Sequence, residues 1–172
     1  MSVISPIPNL AVGAAVLGRV SSAELAKGES VNRQIAFSRN FCFETLGMKE
    51  SDPIFPIPEE GVSGKTFNRK GINKILSLAS EGKLRYVVVF DVSRYGRNAK
   101  EGLQNLDQLL ALGVDVKVAT MPWLDLRTNH GRQQWTHLLS EAECYRGVHR
   151  DKAIMGMTGR AQLGHWKGGH PP

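Results

Sequence analysis

The run Tyr86-Val87-Val88-Val89-Phe90 limits the fold more than any other stretch of the chain. Five apolar residues in a row, mostly β-branched or aromatic, make a strand with no side to turn toward water. Such a strand belongs in a parallel sheet covered by helices on both faces, and the flanking patterns agree. Residues 71–80 bring Ile72, Ile75, Leu76 and Ala79 onto one helical face. Residues 100–112 turn Leu103, Leu106, Leu109 and Leu110 inward, Gly113 ends that helix, and 114–118 read as another strand. Nearer the N-terminus, 14–20 is an apolar run that fits a buried strand. Residues 31–46 place Ile35, Phe37, Phe41, Cys42 and Leu46 at roughly helical spacing, with Gly47 suited to the C-terminal cap. Residues 54–57 are a weaker strand, interrupted by Pro56 and so expected at a sheet edge. The alternation predicts an α/β domain of three layers with a mainly parallel central sheet.

The last element has a different character. Asn129 is a good helix N-cap, and no proline interrupts the chain from there to Gly159. Trp135, Leu138, Leu139, Ala142, Tyr145, Val148 and Met155 form a stripe at three- and four-residue steps. Thirty helical residues span about 45 Å, more than a domain of this size is wide. The stripe therefore calls for a partner, most simply a second copy of the chain. Gly147 is a weak point within that helix. The expected division is an arm over 1–13, an α/β domain over 14–126, an oligomerisation helix over 127–159 and a tail over 160–172.

Charge narrows the partner. The 172 residues carry a net +6, yet residues 61–100 hold nine Lys/Arg against two acids, a local +7, while the rest is nearly neutral. A concentrated basic segment points to a polyanion. Cys42 and Cys144 lie far apart and read as buried or half-buried thiols rather than a disulfide or zinc ligands. No metal-ligand spacing occurs among the five histidines. No apolar stretch approaches the ~20 residues a membrane span needs, and the N-terminus lacks a secretory pattern. A cytoplasmic protein is expected, with no membrane partner.

In α/β sheets, sites form where loops leave the carboxyl ends of strands. The first strand delivers Arg19 and Ser21 to that end, and the central strand delivers Ser93, Arg94 and Arg97. The loop before the second helix adds Arg69. Guanidinium forks bind phosphate bidentately and keep their charge. A serine nucleophile usually needs a base, and no histidine lies near these loops in sequence, so a Ser-His-Asp hydrolase is poorly supported. Phosphoryl transfer asks for less, because clustered arginines stabilise the phosphoryl oxygens by electrostatics. Taken singly, Ser21 is a helix-capping serine and the arginines are solvated. As a set at three successive loops they read as a phosphate site.

Four segments in order carry a resemblance. Arg19-Val20-Ser21-Ser22, followed by Lys27-Gly28-Glu29-Ser30 and Gln34, resembles the opening of the serine recombinase (resolvase/invertase) catalytic domain in its longer-loop, large-recombinase form. Gly61-Val62-Ser63-Gly64 with Arg69-Lys70-Gly71-Ile72 is similar to the second motif of that family. The segment from Asp91 to Arg97 is similar to the third, and the segment from Glu143 to Arg150 to the start of the family's long helix. The resemblance implies a DNA recombinase of phage-integrase or mobile-element type. Ser21 would attack a DNA phosphodiester and form a 5′-phosphoserine, with Arg19, Arg69, Arg94 and Arg97 around the scissile phosphate. Gln34, Glu143, Asp91 and Ser93 would support them, and Lys65, Lys70, Lys100, Arg146 and Arg150 would contact DNA.

The resemblance further implies double-stranded DNA at recombination sites as partner, no metal and no ATP or other cofactor. Homodimers assembling to tetramers are implied, with a DNA-binding domain beyond the tail. Three positions depart from the family pattern: Ser93 stands where Asp is common, Leu25 where Gln is common, and Glu59-Glu60 where the acid is usually Asp. Ser22 is the alternative nucleophile. A non-catalytic phosphate- or DNA-binding module that dimerises through the long helix is the alternative function.

Overall fold

Four strands, β1 (Gly13–Val20), β2 (Ile54–Glu60), β3 (Leu84–Val89) and β4 (Asp115–Val118), lie in the order β2-β1-β3-β4, every pair parallel. The computed structural model describes residues 12–25, 28, 30–61, 69–96 and 98–162. Within these, the side chains of 23, 143, 145–153, 156 and 159–162 are outside the description. The expected arm up to residue 11 and the tail from 163 lie outside the described residues.

Successive strand residues face opposite sides, and each side has its own helical cover. Ala14, Val16 and Val88 pack under α2 (Val31–Glu44) with Phe41, Cys42 and Met48. Ala15, Leu17, Val87 and Val89 pack with Ile72 and Ile75 of α3 (Lys70–Ser80) and Leu106 and Leu109 of α5 (Ala99–Ala111). The start of α6 (Asn129–Gln162) closes the same side through Trp135 and Leu139. Helix, sheet, helix is the expected three-layer arrangement, and every strand of β1 to β4 is parallel. Each fully buried aliphatic side chain in these layers contributes roughly 1.5–3 kcal/mol.

Several local expectations change. β2 runs on to Glu60 despite Pro56 and Pro58. The two prolines are two apart, so they deprive the same side of the strand of N–H donors, which an edge strand tolerates. The stretch after β1, expected as a loop, holds a four-residue helix α1 (Ser22–Leu25), and the one after β3 holds α4 (Val92–Tyr95). Helix α6 begins at Asn129, so Asn129 is not its cap. Thr128 is: its Oγ1 accepts from the Gly131 N–H at 3.0 Å. Gly113 turns the chain out of α5 with φ 75°, and Val114 N–H reaches back to the Leu109 carbonyl at 2.9 Å.

The stripe on α6 divides in two. Trp135 and Leu139 are fully buried and Leu138 half-buried against this chain's own core, with the Trp135 ring edge-on to Tyr95 at 5.1 Å. Trp135 and Leu139 were expected to face a partner, and this chain's own core covers both instead. The start of α6 lies on α4 and α5, which supply the apolar cover that the expectation sought from a second copy. Ala142 is half-buried, the side chains of Tyr145 and Val148 lie outside the described residues, and Met155 is 73% exposed. The cysteines also part company. Cys42 is buried, and burial pushes its thiol up to about 11, whereas Cys144 is exposed rather than half-buried.

Candidate active site

The carboxyl ends of β1 and β3 meet beside α4, and three arginines gather there. Arg19, near the end of β1, is fully buried. Its backbone N–H donates to Gln34 Oε1 on α2 at 3.0 Å. Its Nη2 donates to the Ser93 carbonyl at 2.7 Å and its Nε to the Arg94 carbonyl at 3.2 Å. Arg69, just before α3, continues the series, with Nη2 on the Tyr95 carbonyl at 2.5 Å. The last carbonyls of a helix lack partners within it. Here two guanidinium groups serve three successive carbonyls of α4, which fixes the turn that carries Arg94. Asp91 caps the other end, its Oδ1 accepting from the Ser93 N–H at 2.7 Å.

Arg94 points back toward β1. Its Nη1 donates to the Arg19 carbonyl at 3.2 Å and to Glu24 Oε1 at 2.6 Å, and its Nε to Asp91 Oδ2 at 3.3 Å. Glu24 was not among the residues expected from the sequence, yet it joins the site's two halves. Its other oxygen, Oε2, accepts from the Ser21 N–H at 2.6 Å. The Ser21 hydroxyl in turn accepts from the Glu24 N–H at 3.4 Å, the reciprocal arrangement of a capping box. The signal that finds Glu24 in the sequence is this spacing, Ser21-x-x-Glu24. Burial raises the Glu24 carboxyl, but the Ser21 backbone and hydroxyl bonds and then Arg94 outweigh it, holding the group down at about 2.

These observations meet an independent one. Residues 14–166 match the family described as Resolvase, N terminal domain. The chain belongs to that family. A resolvase of Clostridium perfringens is 29% identical over 112 residues, 65% of this chain and 51% of that protein. The chain spans about half the length of the curated relatives it matches. Among solved structures, the N-terminal catalytic domain of TP901-1 integrase superposes with a TM-score of 0.58 at 20% identity, covering 79% of this chain and 98% of that one. A resolvase family site-specific recombinase from Streptococcus pneumoniae gives 0.53 at 24% identity, covering 88% and 99%. At such identities the likeness is one of fold.

Within this resolvase domain the expected residues distribute unevenly. Arg19, Ser21, Gln34, Asp91, Ser93 and Arg94 come together, with Arg69 joined through Tyr95. Arg97 and Lys65 lie outside the described residues, as do the side chains of Glu143, Arg146 and Arg150. Lys70 and Lys100 are exposed at the starts of α3 and α5. Neither Arg19, Arg69 nor Arg94 is solvated, against the plainer single-residue reading: all three are buried. Ser21 does cap α1, so that reading and the chemical one describe the same residue.

Arg69 also has an acidic counterpart. Glu59 at the end of β2 is 3.4 Å from Arg69 Nε and accepts from the Gly71 N–H at 3.1 Å. A Cβ at Gly71 would lie 2.5 Å from Glu59 Oε1, so only glycine lets the carboxylate so close. Burial lowers the Arg69 pKa, with Glu59 the chief opposing influence. Tyr95 backs the site from the core, its hydroxyl donating to Asn105 Oδ1 and its phenol pushed above the usual range by burial. Arg69 thus pairs with Glu59 and Arg94 with Glu24 and Asp91, and with Arg19 on the α4 carbonyls the described cluster holds three arginines and three acids.

Proposed function

We propose that this is the catalytic domain of a serine-type site-specific DNA recombinase. The Ser21 oxygen attacks a DNA phosphorus, the P–O3′ bond breaks, and the 5′ phosphate becomes joined to Ser21 while the 3′ oxygen leaves as a hydroxyl. The serine proton is matched by the one the leaving oxygen gains. Arg94 and Arg97 neutralise the phosphoryl oxygens as charge builds, and Arg19 and Arg69 hold the α4 turn that carries Arg94. The phosphoserine retains the energy of the broken bond, so the reverse attack by a 3′ hydroxyl reseals DNA without ATP or metal. Gln34 fixes the Arg19 backbone, and Asp91 and Ser93 shape the turn. Lys65, Lys70, Lys100, Arg146 and Arg150 contact DNA, and Glu143 supports the site from the long helix. Dimers assemble to tetramers on double-stranded DNA through the part of α6 beyond the core.

One observation carries the reading: at the carboxyl end of the sheet a single carboxylate ties the Ser21 backbone to Arg94. The test is incubation of the full-length protein with its own recombination sites, followed by denaturing gels. A covalent protein–DNA adduct that Ser21→Ala abolishes and Ser22→Ala leaves is the expected result. An adduct surviving Ser21→Ala overturns the assignment, and no adduct with the parent favours the binding-module alternative.

A further inference from the structure

Glu24 takes no part in that reaction, yet it touches both residues at its centre. Its two oxygens stand 2.6 Å from the Ser21 backbone N–H and 2.6 Å from Arg94 Nη1. An anion that bridges a nucleophile's backbone and a phosphate-binding arginine sits where a phosphate would. We infer that Glu24 is the resting occupant of the phosphate position, and that DNA enters by exchanging its phosphate for this carboxylate. The inference rests on the reading of Ser21 and Arg94 as nucleophile and phosphate ligand.

Three physical arguments support the exchange. The described cluster balances three arginines with three acids in a buried setting, so an added phosphate gains little there until one acid withdraws. Protonation does not clear the way, because Glu24 keeps its charge down to about pH 2. Only another anion does.

Glu24 is also the acid best placed to leave. Asp91 is committed to capping α4, and Glu59 is buried against Arg69 and the Gly71 N–H. Glu24 rides on the four-residue α1, where Ser22 and Leu25 are exposed. Swinging α1 outward uncovers little apolar surface and leaves Arg94 held by Asp91 and the Arg19 carbonyl.

The experiment is binding of a fluorescein-labelled DNA duplex of mixed sequence to the 172-residue chain, followed by anisotropy over a series of salt concentrations. Glu24→Gln should bind about tenfold more tightly than the parent, the lower end of what a hydrogen bond between charged groups is worth. Its log–log salt dependence should steepen by about one released counterion. Glu24→Ala should show the same gain, and Glu24→Asp, which keeps the charge, should not. Adding Arg94→Gln to Glu24→Gln should erase the gain.

A Glu24→Gln protein that binds no more tightly than the parent, while Arg94→Gln alone weakens binding, overturns the exchange and leaves the phosphate-site reading intact. Arg94→Gln without effect in either background removes both. A purely structural Glu24 would weaken binding on substitution and would show no coupling to Arg94.

Discussion

Glu24 is three residues from Ser21 in sequence and seventy from Arg94, and those two distances separate what a sequence shows from what it hides. The short link is a capping box, legible as Ser-x-x-Glu before a helix. The long link exists only because β1 and β3 are neighbours in the sheet. Placement at the carboxyl ends of strands groups Arg19, Ser21 and Arg94 in the sequence, but shows neither their burial nor the carboxylates among them. The consequence for pH is specific. Glu24's folded pKa, about 2, lies below its ordinary 4.5, so its stabilisation is present above about pH 4.5 and is lost as pH falls toward 2. The parent should therefore melt higher than Glu24→Gln at about pH 6, and the gap should narrow steadily as pH falls from about 4.5 toward about 2. A gap that stays constant over that range would contradict the assigned contacts.

At the level of elements, apolar runs were the reliable guide because burial imprints a pattern within a few residues. The three-layer order, the edge position of β2 and the helix endings at Gly47 and Gly113 were all legible in this way. Short elements were not. Four-residue helices such as α1 and α4 have too few residues to show a periodicity, and they exist here because Ser21 and Asp91 cap them and Arg19 and Arg69 bind α4's carbonyls. The start of α6 shows the same limit, since Thr128 and Asn129 are both good caps by residue type and only geometry chooses. Thr128→Ala should cost about 1 kcal/mol of stability and Asn129→Ala much less. Chemical denaturation of both variants checks this; equal losses would place the cap elsewhere.

For the whole molecule, the length of α6 matters more than its composition. At 1.5 Å per residue its 34 residues reach about 50 Å, and the core accounts for only the first turns. Trp135 and Leu139 belong to the folding unit, whereas Ile154, Met155 and Met157 are exposed at the far end. The sequence stripe joined these regions because periodicity records which side of a helix is apolar and not what covers it. Substitutions at the two ends should therefore be read by different instruments. Leu139→Ala leaves a hole in the core and should cost about 2–5 kcal/mol in unfolding free energy, whatever the protein concentration. Met155→Glu removes no packing within the chain, so its melting as an isolated monomer should match the parent's. It places a charge where the proposed dimer would bury a methionine, and sedimentation should show it more monomeric than the parent. If Met155→Glu associates as the parent does, self-association does not use the far end of α6, and the dimer proposed for this domain needs another surface.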